Sequence, residues 1–246
     1  ENPELSLALY AYGWVRYKRG GLKDGMKFFR RAAAIDRNSD ALVMLGFGLA
    51  EGGRMDVARQ YAVEAIARDP LTWISHLPRN AISLFEGRFE EAISLFQVDA
   101  NQLAPNEPLA LWWLAQAYAF GGQEDEAIEL FEHVDALGAG VFSPLSLLFA
   151  SALRNDRVRV VHVLETSDLR NIAMTDEYYP TQIAAALVRV GEKDEAITWL
   201  ERALSWGFSN HHWLSEHNRF LKPLRGDPRF EALMEKAREQ EQAIEV

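Results

Sequence analysis

The chain has no cysteine among its 246 residues. This excludes disulfide bonds, thiolate zinc sites and cysteine nucleophiles, and it leaves the redox compartment undecided. The chain also lacks a long apolar run: the best candidate, Leu109–Phe120, is too short to cross a bilayer and is interrupted by Gln116. No signal peptide is visible, so we expect no direct membrane insertion.

The first residue is Glu1 rather than a methionine. We therefore expect the sequence to be a piece of a longer protein. We expect a cytoplasmic location, and the exported side of a membrane is the alternative for such a piece.

The chain has fewer basic than acidic residues. Lys and Arg number 26 against 36 Asp and Glu, which gives a net charge of -10. Such a chain repels phosphate backbones, so we expect no nucleic-acid partner. With 48% hydrophobic and 25% charged residues, the chain has enough apolar side chains to form a folded core.

The sequence has little that points to catalysis. No glycine-rich loop follows a strand, and no Gly-x-Ser-x-Gly turn is present. His211, His212 and His217 form a cluster, but metal ligands on a helix are usually one turn apart, at i and i+4, and these are not. We therefore expect no enzyme, no cofactor and no metal site. A helical-toroid enzyme, the weakest alternative, would need converging acidic residues that the sequence does not indicate.

Glycine recurs with a fixed period. Gly20, Gly53, Gly87, Gly122 and Gly191 are separated by 33, 34, 35 and 69 residues. Because the last interval is close to two periods, we expect a degenerate repeat that lacks its glycine near residue 156. Each of these glycines ends a first helix, where the turn needs a left-handed or open backbone. Small residues such as Gly13 and Ala58 recur where two antiparallel helices would cross closely.

This pattern resembles that of tetratricopeptide repeat proteins, whose period is about 34 residues. The resemblance implies an all-α fold: a right-handed superhelical α-solenoid of helix-turn-helix repeats that ends in a C-terminal capping helix. We expect one domain over 1–246, with repeats at about 5–38, 39–71, 72–106, 107–140, 141–167 (degenerate) and 176–209, and a cap at 210–246. Val158–Leu164 is β-branched, but it lies where a second helix is due. Pro78 lies inside the first helix of repeat three, so we expect a kink or a late start there.

The last third of the chain is similar to a narrower group. Tyr178–Tyr179, Gly191–Ala203 and Phe220–Phe230 together resemble the C-terminal repeat regions of bacterial signalling proteins. In those proteins the repeats follow a serine/threonine kinase, a nucleotide cyclase or a winged-helix transcription regulator. The resemblance implies a regulatory module and no particular partner.

The first helices of such repeats line a concave groove, and exposed aromatic residues are common anchors for protein partners. The predicted groove residues are Tyr10, Trp14, Tyr17, Phe47, Leu77, Phe85, Trp112, Gln116 and Phe120, with Val43, Tyr178 and Arg189 as further positions. Aromatic residues at helical spacing are core residues more often than binding residues, so a buried role for any one of them stays open. Because Trp112 and Trp113 are adjacent, we expect at least one of them to point away from its own helix pair.

We expect a non-catalytic module that binds a protein or peptide in this groove. The alternative is a structural role, in which the array forms a homo-oligomer or packs on another domain of its own chain. The apolar stretch Val141–Leu153 in the degenerate repeat is the candidate for such a joint.

Overall fold

A computed structural model describes residues 3–36 and 39–244, and these ranges contain helices and turns but no strand. The helices are α1 (Pro3–Gly20), α2 (Leu22–Asp36), α3 (Ser39–Glu51), α4 (Met55–Arg68), α5 (Leu77–Phe85), α6 (Phe89–Val98), α7 (Pro108–Gly121), α8 (Glu124–Ala136), α9 (Phe142–Leu153), α10 (Arg157–Thr166), α11 (Leu169–Ala173), α12 (Tyr178–Arg189), α13 (Lys193–Trp206) and α14 (Pro228–Gln242). Helices that are neighbours in sequence pack in pairs. The fold is therefore the expected all-α solenoid of helix pairs.

The turn inside each helix pair carries one residue with a left-handed backbone. In the first pair this residue is Gly21, with φ of 80°, rather than Gly20. In the fifth pair it is Asn155, with φ of 56°. Asparagine adopts this conformation more readily than other residues that have a Cβ. Asn155 thus replaces the glycine that the period lacks near residue 156, and Val158–Leu164 lies in helix α10 as predicted.

The third pair begins late. Trp73–His76 form a 3₁₀ turn, and α5 follows directly with Pro78 in its first turn. Proline is tolerated there because the N–H groups of a first turn have no acceptor within the helix. His76 Nδ1 lies 2.9 Å from Asp99 Oδ1, and Asn80 Nδ2 donates to Asp99 Oδ2 at 2.6 Å. The polar side chains of His76 and Asn80 therefore converge on one buried carboxyl group, that of Asp99.

The apolar stretch Val141–Leu153 belongs to the core. Its residues Leu145, Leu148 and Phe149 are buried, because α9 packs against both α8 and α12. Leu145, Leu148 and Phe149 are therefore taken up by packing within the chain, and a joint between subunits formed by the rest of the stretch stays a prediction.

The last helix pair returns to the first. Tyr17 Oη donates to Asp176 Oδ2 at 3.2 Å across 159 sequence positions, and Lys18 Nζ lies 3.0 Å from the same oxygen. Beyond α13, Gly207 packs so closely on α2 that a Cβ there would lie 2.8 Å from Leu22 Cβ. The array is therefore closed, and its first helix pair is in contact with the residues that flank the pair α12–α13.

The predicted cap runs back across the array instead of extending it. Residues 207–224, which we call the inner segment, contain a π turn at Trp213–His217 and a 3₁₀ turn at Arg219–Leu224. Helix α14 follows, and at its end Arg54 Nη1 of the second helix pair donates to Ile244 O at 2.8 Å. None of the helices in the described ranges has the length and apolarity needed to cross a membrane.

Candidate functional site

The structure divides the predicted groove residues into a half-exposed group and a buried group. Tyr10, Trp14 and Phe47 are half-exposed. The buried residues are Tyr17, Leu77, Phe85, Trp112, Gln116 and Phe120, together with Val43 and Tyr178. Arg189 is exposed and forms an ion pair with Glu124, at 2.9 Å.

The inner segment covers part of the buried group, at Phe85 and Phe120. Trp213 lies with its ring centroid 5.3 Å from that of Phe85 and 4.6 Å from that of Phe120. Phe208 contacts Phe85 at 5.9 Å, and Phe220 contacts Phe120 at 5.2 Å. These edge-on and tilted contacts are the geometry that aromatic rings prefer. The chain itself therefore occupies the part of the predicted groove that Phe85 and Phe120 form.

Tyr178, the first residue of α12, joins the aromatic residues of several helix pairs. Its ring stacks on Trp113 at 5.2 Å and meets Trp112 edge-on at 6.0 Å. It also lies 5.8 Å from Phe208 of the inner segment. Trp112 and Trp113 are 1% and 2% exposed. Both adjacent tryptophans are thus buried, and neither forms an open groove surface.

Buried hydrogen bonds hold the start of the inner segment on the second helix pair. Ser209 N and Asn210 N donate to Glu51 O at 3.1 and 2.9 Å. Asn210 Nδ2 donates to Ala50 O at 3.0 Å, and Asn210 Oδ1 accepts from Trp213 N at 3.0 Å. These bonds engage carbonyl groups of the last turn of α3, which have no N–H donor within their own helix. Asn210 therefore acts as a structural link between α3 and the inner segment.

The turn glycines have a second role that the period did not reveal. A Cβ at Gly87 would lie 2.5 Å from His217 Nδ1, and one at Gly122 would lie 2.9 Å from Arg219 Nη1. The inner segment thus passes directly over these turns. The sequence carried no separate signal for this, because the left-handed turn already accounts for the glycine.

Three carboxyl groups meet where the array closes: Glu51 at the end of α3, with Asp176 and Glu177 before α12. We call them the acid cluster. All three are buried, and neither side-chain oxygen of Glu51 has a hydrogen-bond partner among the described residues. Burial, reinforced by the charge of Glu177, raises the pKa of Glu51 well above its ordinary value. Burial and the charge of Asp176 raise the pKa of Glu177 to about 7.

Sequence reasoning missed the acid cluster. Glu51 precedes a turn glycine pair in one repeat, and Asp176 and Glu177 begin the repeat that was expected at 176–209. Only the closure of the array brings them together. Within 3–36 and 39–244, no group of His, Cys, Asp or Glu side chains is arranged to hold a metal ion.

The half-exposed group packs against aromatic neighbours, of which Tyr17 and Trp113 are buried. Trp14 lies edge-on to Tyr10 at 6.4 Å and to Tyr17 at 5.4 Å. Phe47 lies edge-on to Trp113 at 5.6 Å. Each ring therefore packs against aromatic neighbours and remains only partly buried. We call Tyr10, Trp14 and Phe47 the open aromatic group.

Comparison with known proteins places part of this array in a family. A tetratricopeptide repeat family model matches residues 84–140. The match runs from the end of α5 through α8, which is less than a quarter of the 246 residues. It supports a protein of the tetratricopeptide type, and such repeats generally mediate protein–protein interactions. A search of curated proteins finds no match.

Proposed function

We propose that this chain is a non-catalytic protein–protein interaction module and that its open aromatic group is the contact surface. The tetratricopeptide match over 84–140 supports the general role. The half-exposed state of Tyr10, Trp14 and Phe47 supports the choice of surface. Partly exposed aromatic residues on a rigid scaffold are frequent binding hot spots, because they bury a large area with little loss of side-chain freedom.

The buried groove residues have a different place in this proposal. Phe85 and Phe120 already contact the inner segment. A partner that used these rings would have to displace residues 207–224 and their buried hydrogen bonds. We therefore confine the partner surface to the open aromatic group and assign the buried residues to the intramolecular contact.

The proposed role is regulatory. The resemblance of the last third to repeat regions of bacterial signalling proteins supports a module that acts on a signalling domain of the same protein. The partner would be a peptide segment or a neighbouring domain, anchored on the aromatic rings.

The test is a pull-down from the native host with this chain as bait, compared with the variant Trp14→Ala. Tyr61→Ala on α4 is the matched control, because Tyr61 is also a half-exposed aromatic residue but lies outside the open aromatic group. Loss of one specific protein with Trp14→Ala and its retention with Tyr61→Ala is the expected result. Equal capture by all three proteins, with unchanged helical circular dichroism, would refute the assignment of the surface.

A second candidate function, self-association, is favoured by the exposed face of α1. Leu5, Leu7, Tyr12 and Val15 are between 44% and 58% exposed, and four large apolar side chains on one helix are unusual for a free surface. Light scattering of the isolated chain over a wide concentration range tests this candidate. A dimer that Leu7→Glu converts to a monomer would support it, and a monomer at all concentrations would exclude it.

A further inference from the structure

A cavity of about 400 Å³ lies where the first helix pair meets the chain's C-terminal helices. Its walls come from α2, α3 and the ends of α13 and α14, and we call it the terminal cavity. The residues on which the argument rests are Leu22, Met26, Leu49, Trp206, Gln240 and Ile244. The volume falls in the range of sites that bind a small molecule or one large side chain.

The floor of the terminal cavity is apolar. Leu22, Met26 and Leu49 are each less than one-tenth exposed. Ile244 packs beside them from the C-terminal side, with its side chain against the α3 turn at Gly52. An apolar group that enters this cavity would therefore leave water for a surface that is already fixed by the core.

Two polar atoms of the lining side chains are buried and unpaired. Trp206 Nε1 is a donor without an acceptor, and Gln240 Oε1 is an acceptor without a donor, among the described residues. Buried polar groups in folded proteins nearly always have a partner. The guanidinium of Arg202, 4.3 Å above the Trp206 ring, fixes the orientation of the indole. Both atoms are closed to solvent, so they belong to the wall of the cavity rather than to its open surface.

The rim of the cavity is basic although the chain as a whole is acidic. Lys23, Lys27 and Arg30 follow one another along α2, against a single carboxylate, Asp24. That carboxylate is already engaged, since Lys27 Nζ and Arg16 Nη2 each lie 3.1 Å from its oxygens. Lys23 has no hydrogen bond or ion pair in the described part of the chain. Lys23 therefore leaves a positive charge at the rim that an acidic partner would neutralise.

We propose that the terminal cavity binds a segment of a partner protein in which one large apolar side chain is flanked by acidic residues. The apolar side chain fills the cavity, and the flanking carboxylates lie over Lys23 and Lys27. This inference rests on the proposed interaction function, but it places a contact away from the open aromatic group.

The test is fluorescence anisotropy with a labelled peptide of sequence Glu-Glu-Phe-Glu-Glu, titrated with the full chain at low salt. Two further peptides carry Ala in place of Phe, or Lys in place of every Glu. The variant Lys23→Glu reverses the free rim charge, and an acidic residue in a first helical turn is favourable to the helix. Ala243→Trp and Ser205→Phe each fill the cavity from an exposed position. Lys236→Glu, on the exposed side of α14, is the control with the same change in net charge.

The expected result is saturable binding of the Phe peptide that Lys23→Glu weakens roughly tenfold, as for the loss and reversal of one close charge pair. Either filling variant abolishes binding, Lys236→Glu changes it less than about twofold, and both altered peptides bind poorly. The proposal is overturned if the Phe peptide shows no binding at about 1 mM chain, because its Kd would then be weaker than the millimolar range. Binding that survives both filling variants, or that Lys236→Glu weakens as much as Lys23→Glu, also overturns it. Partner capture that depends on Trp14 but not on the cavity would refute this inference and leave the proposed function intact.

Discussion

Raising the pH from 5 to 8 should destabilise the folded chain through the acid cluster. The ordinary pKa of a glutamic acid such as Glu177 is 4.5, and its folded pKa is about 7. Between these values the unfolded chain releases a proton that the folded chain retains, so the free energy of unfolding falls as the pH rises from 4.5 to 7. One pKa unit corresponds to ~1.4 kcal/mol, so Glu177 alone contributes a loss of about 3 kcal/mol. The raised pKa of Glu51 acts in the same direction.

Other groups bear on the same measurement and must be separated from the acid cluster. The pKa values of His211 and His217 are lowered by burial, so these groups make the folded chain more stable as the pH rises. Lys18 and Tyr17 face the acid cluster from α1, and Asp176 is part of it. All three residues are the same in wild type and in Glu177→Gln. The difference between wild type and Glu177→Gln therefore reports the Glu177 carboxyl group together with the effect of its charge on the pKa of Glu51.

The assay is urea denaturation followed by far-ultraviolet circular dichroism at pH 5, 6, 7 and 8. Glutamine has the shape of the protonated acid, so Glu177→Gln should match wild type near pH 5 and exceed its stability by about 3 kcal/mol at pH 8. Glu201→Gln, on the exposed side of α13, is the control and should follow wild type throughout. A constant difference between wild type and Glu177→Gln from pH 5 to 8 would refute the reasoning. It would mean that the carboxyl group has the same pKa in the folded and the unfolded chain.

Three further predictions concern packing and turns, and thermal or urea unfolding measures each of them. Trp112→Ala should lower the free energy of unfolding by about 3–5 kcal/mol, since the side chain is fully buried; a loss below 1 kcal/mol would contradict its place in the core. Asn155→Val should cost about 1–2 kcal/mol because of its left-handed backbone, whereas Asn155→Gly should be tolerated; equal stability of the two variants would count against this turn. Gly87→Ala should be more destabilising than Gly191→Ala. Both glycines have positive φ, but only at Gly87 would a new Cβ lie within 4 Å of another segment, at His217. Equal losses would argue that the inner segment does not pass over Gly87.

The fold could be predicted from the sequence because the repeat pattern reflects contacts between residues that are close in sequence. The glycine period and the small residues that follow it depend on contacts within one helix pair. The exception near residue 156 is also local, since Asn155 is the residue that most easily replaces glycine in a left-handed turn. Proline in the third pair predicted its late start for the same reason.

The accessibility of the groove could not be predicted in this way. A groove residue such as Phe85 or Trp112 has the same spacing whether a ligand or the chain itself covers it. The covering residues, such as Trp213, lie about 100 positions or more away in the sequence, in a segment that has no repeat pattern. Tyr10, Trp14 and Phe47 have the same kind of helical spacing as the buried residues, so the spacing alone does not distinguish them.

The same limit changes the design of experiments. Sequence reasoning alone would pair Trp14 with Trp112 as two equivalent anchors. In the structure Trp112 is 1% exposed, so its replacement tests folding, whereas replacement of Trp14 tests binding. A loss of partner capture in the double variant would therefore not identify a binding site.

The closure of the array has a consequence for how it unfolds. In an open solenoid each repeat is stabilised only by its neighbours, so the terminal repeats fray first and stability adds along the chain. Here α1 and α3 are tied to residues 176–210 by hydrogen bonds that span up to 160 positions. Loosening either end removes support from the other. We therefore expect amide hydrogens in α1 and in α12 to exchange in a single cooperative step, as in a globular domain, rather than in the graded order of an open array.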